Sequence, residues 1–304
     1  MKVNFRKLGI IIALATVLLL GALLLAFSYI DIGITGLAGG EAKSAAVADL
    51  YEIPESVTDD ATAMATELYG DYQDKYDEFV NQLLTAYVEA KDQDFVVIFN
   101  PGGWGTKILD NSPGWSEICH GIETELDNLG YSSLVLDYQR TARSLRGINK
   151  ELVELFSVYP SKAETLARRV EFLTRNVPEL KVILAGESIG TVISDTVMAM
   201  LRDNPRVYSI QTGPPFWHRQ MTQERTLVLD TNGQVPDTFS HGDIPAMLIT
   251  SLKALFGVSL TEDEEAGRIF YFIRAPGHDY NWQYPGVNLK IADFLEDNFG
   301  VDSK

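Results

Sequence analysis

The sequence has few cysteines and few basic residues, which excludes several common kinds of site. Its 304 residues include one cysteine, Cys119, which excludes an internal disulfide and a cysteine-rich metal site. Basic side chains number 25 against 42 acidic ones, and the formal net charge of −17 at pH 7 argues against a nucleic-acid partner, whose phosphates would be repelled. No HExxH motif or carboxylate-rich calcium loop occurs, so we expect neither a metal nor another cofactor.

Charge is also absent from residues 8–30, which read LGIIIALATVLLLGALLLAFSYI. At about 1.5 Å of rise per residue, a helix of this length spans the roughly 30 Å hydrocarbon core of a bilayer. Because the apolar region of a secretory signal is shorter, we expect one uncleaved transmembrane signal anchor. A cleaved signal, with Ala38 or Ala46 near the cut, remains the alternative.

The charges around this segment predict its orientation. Lys2, Arg6 and Lys7 precede it, and the next basic residue is Lys43. The positive-inside rule then predicts a single-pass membrane protein with a cytoplasmic N-terminus and an extracytoplasmic C-terminal domain. We expect residues 1–30 to form the stub and the span, residues 31–58 a linker rich in Gly, Ala and Ser, and residues 59–304 the globular domain.

The globular part alternates apolar strands with helical segments. Asp59 or Asp60 is expected to cap a helix that runs to about Ala90. Continuous apolar runs predict six strands beyond it: Phe95–Phe99, Ser133–Leu136, Val182–Leu184, Val207–Ile210, Thr226–Leu229 and Ile269–Ile273. This order predicts an α/β fold, with a mostly parallel sheet of about six strands flanked by helices. Ligands of such sheets bind beyond the carboxyl ends of the strands.

The sequence Gly186-Glu187-Ser188-Ile189-Gly190 lies between the third strand and an apolar helix. This is a G-x-S-x-G motif in a strand–turn–helix context, where two glycines allow a sharp turn that presents the serine hydroxyl at a helix N-terminus. The sequence therefore predicts a nucleophile at Ser188. A Gly/Ser loop that only caps the helix is the alternative.

With this motif, residues 94–299 resemble the α/β-hydrolase superfamily of serine esterases and lipases. The order nucleophile, acid, histidine in that family implies that His278 is the base, because it alone of the four histidines follows the last strand. The acid should follow the fifth strand. Asp230, which ends that strand, is our first choice, and Asp237 is the alternative.

The resemblance also implies an oxyanion hole built from backbone N–H groups. One donor would be Ile189, which follows the nucleophile, and the other would be Gly103 or Trp104 in the glycine-rich loop after the first strand. The family commonly has His-Gly at the start of this loop, whereas this chain has Asn100-Pro101.

These residues together imply a serine hydrolase that cleaves a carboxylic ester or thioester through an acyl-enzyme on Ser188. Aromatic side chains in the expected pocket loops favour a small-molecule acyl ester or lipid-like substrate, and a peptidase of the same fold remains open. The alternative from another class is a non-catalytic, membrane-tethered binding module on the same scaffold. A nucleotide-binding domain ranks last, because no G-x-G-x-x-G follows the first strand and the chain has no Walker lysine.

Overall fold

The structure is a computed structural model that describes residues 53–70, 72–103, 105, 108–138, 160–221, 224–261, 267–270 and 273–300. Its helices are α1 (Glu55–Tyr69), α2 (Gln73–Ala90), α3 (Pro113–Asn128), α4 (Pro160–Asn176), α5 (Ile189–Met200), α6 (Ile244–Leu255) and α7 (Pro285–Phe299). Its strands are β1 (Phe95–Asn100), β2 (Ser133–Asp137), β3 (Lys181–Glu187), β4 (Val207–Thr212), β5 (Thr226–Leu229), β6 (Arg268–Phe270) and β7 (Ile273–Arg274).

The first five strands form one parallel sheet in the order β2-β1-β3-β4-β5. The central strands are β1, which is apolar and buried up to Asn100, and β3, which is uncharged and buried between Lys181 and Glu187 at its ends. Such runs are typical of strands covered on both faces. Successive side chains of β1 point to opposite faces, so Val96 and Ile98 join one hydrophobic core while Phe95 and Phe99 join the other.

Helices cover both faces of this sheet. Buried side chains of α1, α2, α4 and α5 belong to the core on one face, and those of α3 and α7 belong to the core on the other. The domain is therefore a three-layer α/β/α structure, as the alternation of strands and helices predicts.

The strand order places a crevice between the ends of β1 and β3. The chain runs from β1 outward to β2 on one side, and then from β3 to β4 and β5 on the other. Loops that leave β1 and β3 consequently separate at their carboxyl ends, where open parallel sheets bind ligands. In this register Asn100 of β1 is level with Gly186 of β3, the first glycine of the G-x-S-x-G motif.

Two expectations about these elements are wrong. The sixth strand does not join the parallel sheet, because residues 268–270 and 273–274 pair with each other as a short antiparallel ribbon. The helix expected up to Ala90 is two helices, because Gly70 ends α1 with a φ of +52° that a helix cannot continue through. In addition, α1 begins at Glu55, inside the segment expected to be linker.

The expected membrane span at residues 8–30 lies outside the described residues. Among the residues that the structure does describe, no helix combines the length and the apolar character that a bilayer crossing requires. Residues 31–52 of the expected linker are likewise outside the described part of the chain.

Candidate functional site

Ser188 occupies a sharp turn between β3 and α5. Its φ of 51° and ψ of −118° place it in a backbone conformation that costs a non-glycine residue about 1–3 kcal/mol. Its N–H donates to the carbonyl oxygen of Thr212 at the end of β4, at 2.8 Å. Ser188 is also the N-cap of α5, so its hydroxyl lies where the helix dipole stabilises negative charge.

The two glycines of the motif are required for steric reasons. A Cβ atom on Gly190 would lie 2.1 Å from the carbonyl oxygen of Asn100, at the end of β1. A Cβ atom on Gly186 would lie 2.9 Å from Oγ of Ser194. Gly190 must therefore lack a side chain for α5 to approach β1, and Gly186 leaves the space that the first turn of α5 occupies.

The imidazole of His278 lies between a hydroxyl and a carboxylate. Its Nε2 is 2.9 Å from Oγ of Ser188, and its Nδ1 is 2.8 Å from Oδ2 of Asp237. Because a carboxylate can only accept, Nδ1 carries the proton and Nε2 is left to accept from the serine hydroxyl. The His278 and Asp237 side chains are 6% and 0% exposed. The three residues form the hydrogen-bonded chain that nucleophilic catalysis by serine requires.

The structure corrects the preference for Asp230 as the acid. Asp230 is exposed and follows β5 directly, whereas the alternative, Asp237, contacts His278. A turn between the two positions explains the difference. Oδ1 of Asn232 accepts the N–H groups of residues 234 and 235, and a β-bridge joins Thr231 to Pro236. The chain therefore turns back on itself after β5, and Asp237 follows the turn.

The carboxylate of Asp237 is buried but accepts hydrogen bonds from several neighbouring groups. Its Oδ1 accepts from the N–H groups of Phe239 and Ser240, and its Oδ2 also accepts from the hydroxyls of Ser240 and Tyr280. Burial alone would raise the pKa of Asp237. The hydrogen bond and the charge of His278, with the bonds from Tyr280 and Ser240, instead hold this pKa below its ordinary value. Asp237 is consequently ionised at neutral pH and keeps the imidazole oriented.

Neighbouring loops hold His278 in place. Gly213, after β4, has a φ of +63°, and a Cβ atom there would lie 2.5 Å from Cε1 of His278, so only glycine leaves room for the ring. Beside His278, Asp279 accepts hydrogen bonds from Asn232 at 3.2 Å and from the hydroxyl of Tyr284 at 2.7 Å. The acid loop and the histidine loop are thus tied to each other and to the start of α7.

Of the three expected oxyanion donors, the structure describes Ile189 and Gly103. Ile189 is the first residue of α5, so its N–H is not used by the hydrogen bonds within the helix. Gly103 lies on the loop after β1, and Trp104 lies outside the described residues. Nδ2 of Asn100 donates to the carbonyl oxygen of Gly190 at 2.9 Å, which fixes this loop against the nucleophile turn. The side chain of Asn100 therefore ties the end of β1 to the start of α5.

A cavity of about 420 Å³ opens onto Ser188 and His278. Gly103 and Glu187 line it on the side of the β1 loop, and Trp115 and Tyr280 line it elsewhere. Its size suits a small organic ligand. Within the described part of the chain, no group of three or more His, Cys, Asp or Glu side chains could hold a metal ion.

Comparisons with known proteins place this chain near a solved structure but not near a known sequence family. No protein-family model and no curated protein sequence matches the chain. Among solved structures, a cutinase from Trichoderma reesei in complex with a C11Y4 phosphonate inhibitor matches with 14% sequence identity and a TM-score of 0.33. That match covers 63% of this chain and 82% of the cutinase chain.

Sequence reasoning missed two hydrogen bonds of the site. Oε2 of Glu187 accepts the N–H of Gly102 at 2.8 Å, and the hydroxyl of Tyr280 donates to Asp237 at 2.9 Å. Their positions in the sequence could have drawn attention to both residues. Glu187 directly precedes the serine of the G-x-S-x-G motif, and Tyr280 is two positions after His278.

Of the other histidines, His120 and His241 are exposed, and His218 belongs to a second buried pair. Nε2 of His218 lies 2.8 Å from Oδ2 of Asp195, a fully buried residue of α5. Asp195 also accepts from the side chain of Gln220 and from the N–H of Met221. This cluster fixes the segment between β4 and β5 against the helix that begins beside Ser188.

Proposed function

We propose that this chain is a serine hydrolase that cleaves a carboxylic ester or thioester through an acyl-enzyme on Ser188. One observation carries the proposal, namely the chain of hydrogen bonds from Ser188 through His278 to Asp237 at the mouth of a cavity. The strained backbone of Ser188 supports it further, because structures retain such strain chiefly where function requires it.

In the proposed mechanism, His278 is the group that accepts and donates the proton in each step. His278 takes the proton of the Ser188 hydroxyl at Nε2 as the serine oxygen attacks the acyl carbonyl carbon. The imidazolium, stabilised by ionised Asp237, then gives that proton to the departing alcohol or thiol. In the second half, His278 removes a proton from water as the water oxygen attacks the acyl carbonyl carbon. The imidazolium then returns that proton to Oγ of Ser188 as the carboxylic acid is released.

Backbone N–H groups stabilise the oxyanion that forms in both halves. Ile189 is the first donor, and Gly103 or Trp104 in the loop after β1 is the second. Each donor contributes about 3 kcal/mol to lowering the barrier. The N-terminus of α5 adds a favourable dipole at the same place.

An acyl ester with an apolar part is the substrate class that fits this cavity. The indole of Trp115 and the phenol ring of Tyr280 lie along its wall, and aromatic faces bind acyl chains and ring systems. The exposed rings of Phe216 and Trp217 stack edge-on against Phe239, which in turn stacks on His278. These contacts join the exposed pair of rings to His278 through one buried ring.

The membrane anchor belongs to the same proposal. Residues 8–30 would hold the hydrolase domain on the extracytoplasmic side of a bilayer, with the N-terminus in the cytoplasm. Paired reporters fused after residue 304, one active only outside the cytoplasm and one only inside it, test this orientation. N-terminal sequencing of the membrane fraction separates an uncleaved anchor from a signal cut near Ala38 or Ala46.

A fluorophosphonate probe tests the catalytic proposal directly. The wild-type chain should be labelled, and Ser188→Ala and His278→Ala should each abolish labelling. His120→Ala, at an exposed position of α3, and Ser116→Ala, on the same helix, are the matched controls and should be labelled like the wild type. No labelling of any folded variant would favour a non-catalytic, membrane-tethered binding module.

A further inference from the structure

Glu187 joins the two loops that form the oxyanion side of the proposed active site. It is the last residue of β3, next to Ser188, and its Oε2 accepts the N–H of Gly102 at 2.8 Å. The approach is close on both sides, since a Cβ atom on Gly102 would lie 3.1 Å from that carboxylate oxygen and 3.0 Å from Cβ of Ser188. A carboxylate is thus held beside the nucleophile.

Among the described residues, the lining of the cavity around this carboxylate includes no lysine or arginine that could neutralise it. The two carboxylates of that described lining are Glu187 and Asp279. Asp279 is bound by Asn232 and Tyr284, on the side of α7. The imidazole of His278 is already paired with Asp237. The described lining therefore offers no lysine or arginine to offset the Glu187 carboxylate next to the serine.

We propose that Glu187 determines substrate specificity by charge, so that the site accepts neutral and cationic esters and disfavours esters that carry a negative charge near the scissile bond. This inference rests on the proposed function. In a partly buried cavity two like charges are poorly screened, and their repulsion exceeds that between the same groups in water. The same charge favours the imidazolium that forms on His278 and repels the carboxylate product.

Glu187→Gln separates charge from structure. The amide oxygen of glutamine can still accept the N–H of Gly102, but the negative charge is removed. The probe is a set of three p-nitrophenyl esters of similar length, whose acyl chains end in a methyl, a carboxylate or a trimethylammonium group. Glu164→Gln, at an exposed position of α4, is the matched control.

We expect the wild-type chain and Glu164→Gln to have a kcat/KM for the anionic ester at least about tenfold below that for the neutral ester. Glu187→Gln should reduce this ratio by about tenfold, and high salt should reduce it in the wild type. A ratio that Glu187→Gln leaves unchanged, while the neutral ester is hydrolysed, would overturn the role of Glu187 alone. Hydrolysis of none of the three esters by the wild type would overturn the proposed function and this inference together.

Discussion

Asp237 and His278 lie on different loops, yet Oδ2 of the first is 2.8 Å from Nδ1 of the second. The contact depends on the turn around Asn232, which brings the chain back after β5. It also depends on Gly213, whose missing side chain leaves space for the imidazole. The third member of the hydrogen-bonded chain is therefore fixed by two turns and not by the end of a strand.

Replacing the two candidate acids one at a time tests this assignment. Asp237→Asn should lower kcat for ester hydrolysis by about 10³–10⁴-fold, because the imidazole loses the partner that sets its tautomer and stabilises its charge. Asp230→Asn, at the exposed position directly after β5, should leave kcat within about twofold of the wild type. The reverse pattern, with both variants folded by circular dichroism, would contradict the assignment.

The lowered pKa of Asp237 predicts a pH-dependent contribution to stability. Because the folded state holds this proton less tightly than the unfolded state does, ionised Asp237 stabilises the fold at pH values above about 3.9, the ordinary pKa of aspartate. The contribution is lost as the pH falls from there through the pKa of the folded state.

Urea denaturation from pH 3 to pH 7 measures this effect. The difference in unfolding free energy between the wild type and Asp237→Asn should be largest near neutral pH and should shrink below about pH 4. Asp203→Asn, whose side chain is 96% exposed, serves as the control and should show no comparable change. A difference that is constant over the whole range would rule out a lowered pKa.

The close approach of α5 to β1 predicts a large cost for Gly190→Ala. The added Cβ atom would lie 2.1 Å from the carbonyl oxygen of Asn100, so the helix must move away and the turn at Ser188 must open. Overpacking of this kind typically costs about 1–3 kcal/mol, and we expect activity to fall further than stability. Thermal unfolding and ester hydrolysis, measured on the same preparation, check both parts.

Gly257→Ala provides the matched comparison. Gly257 has a φ of +67° and nothing lies within 4 Å of the position that its Cβ would occupy, so alanine there introduces backbone strain without a clash. It should cost about 1 kcal/mol and leave kcat near the wild-type value. Equal losses of activity in the two variants would show that the contact between α5 and β1 does not set the geometry of Ser188.

The buried Asp195 predicts a structural role away from the chemistry. Asp195→Ala leaves His218, Gln220 and the N–H of Met221 without their shared acceptor, which should destabilise the fold by about 3 kcal/mol. Chemical denaturation measures the loss, with exposed Asp203→Ala as the control. A variant as stable as the control would mean that this cluster does not anchor the segment between β4 and β5.

The parts of the fold that follow from local pattern could be predicted from the sequence. A few adjacent residues are enough to predict β1 and β3, from their apolar runs, and the turn at Ser188, from its glycines. The helix break at Gly70 and the antiparallel pairing of residues 268–270 with residues 273–274 were missed, because an apolar pattern continues through both. Asp237 was ranked second because its contact depends on a turn whose hydrogen bonds come from the side chain of Asn232.

Side chains that act across loops were harder to foresee. The bond from Gly102 to Glu187 joins residues 85 positions apart, and that from Tyr280 to Asp237 spans 43. The residues around Glu187 and Tyr280 in the sequence do not indicate which distant residue each will contact. Only the parallel register that sets the ends of β1 and β3 side by side makes the first contact possible.

Trapping the acyl-enzyme tests the central claim most directly. The wild-type chain is mixed with p-nitrophenyl butyrate, quenched in acid within the first turnover and digested with trypsin, which releases residues 182–202 as one peptide. We predict that this peptide gains the mass of one butyryl group and that fragment ions assign it to Ser188, not to Ser194. Butyryl on any other residue, or an adduct that persists in Ser188→Ala, would contradict the account.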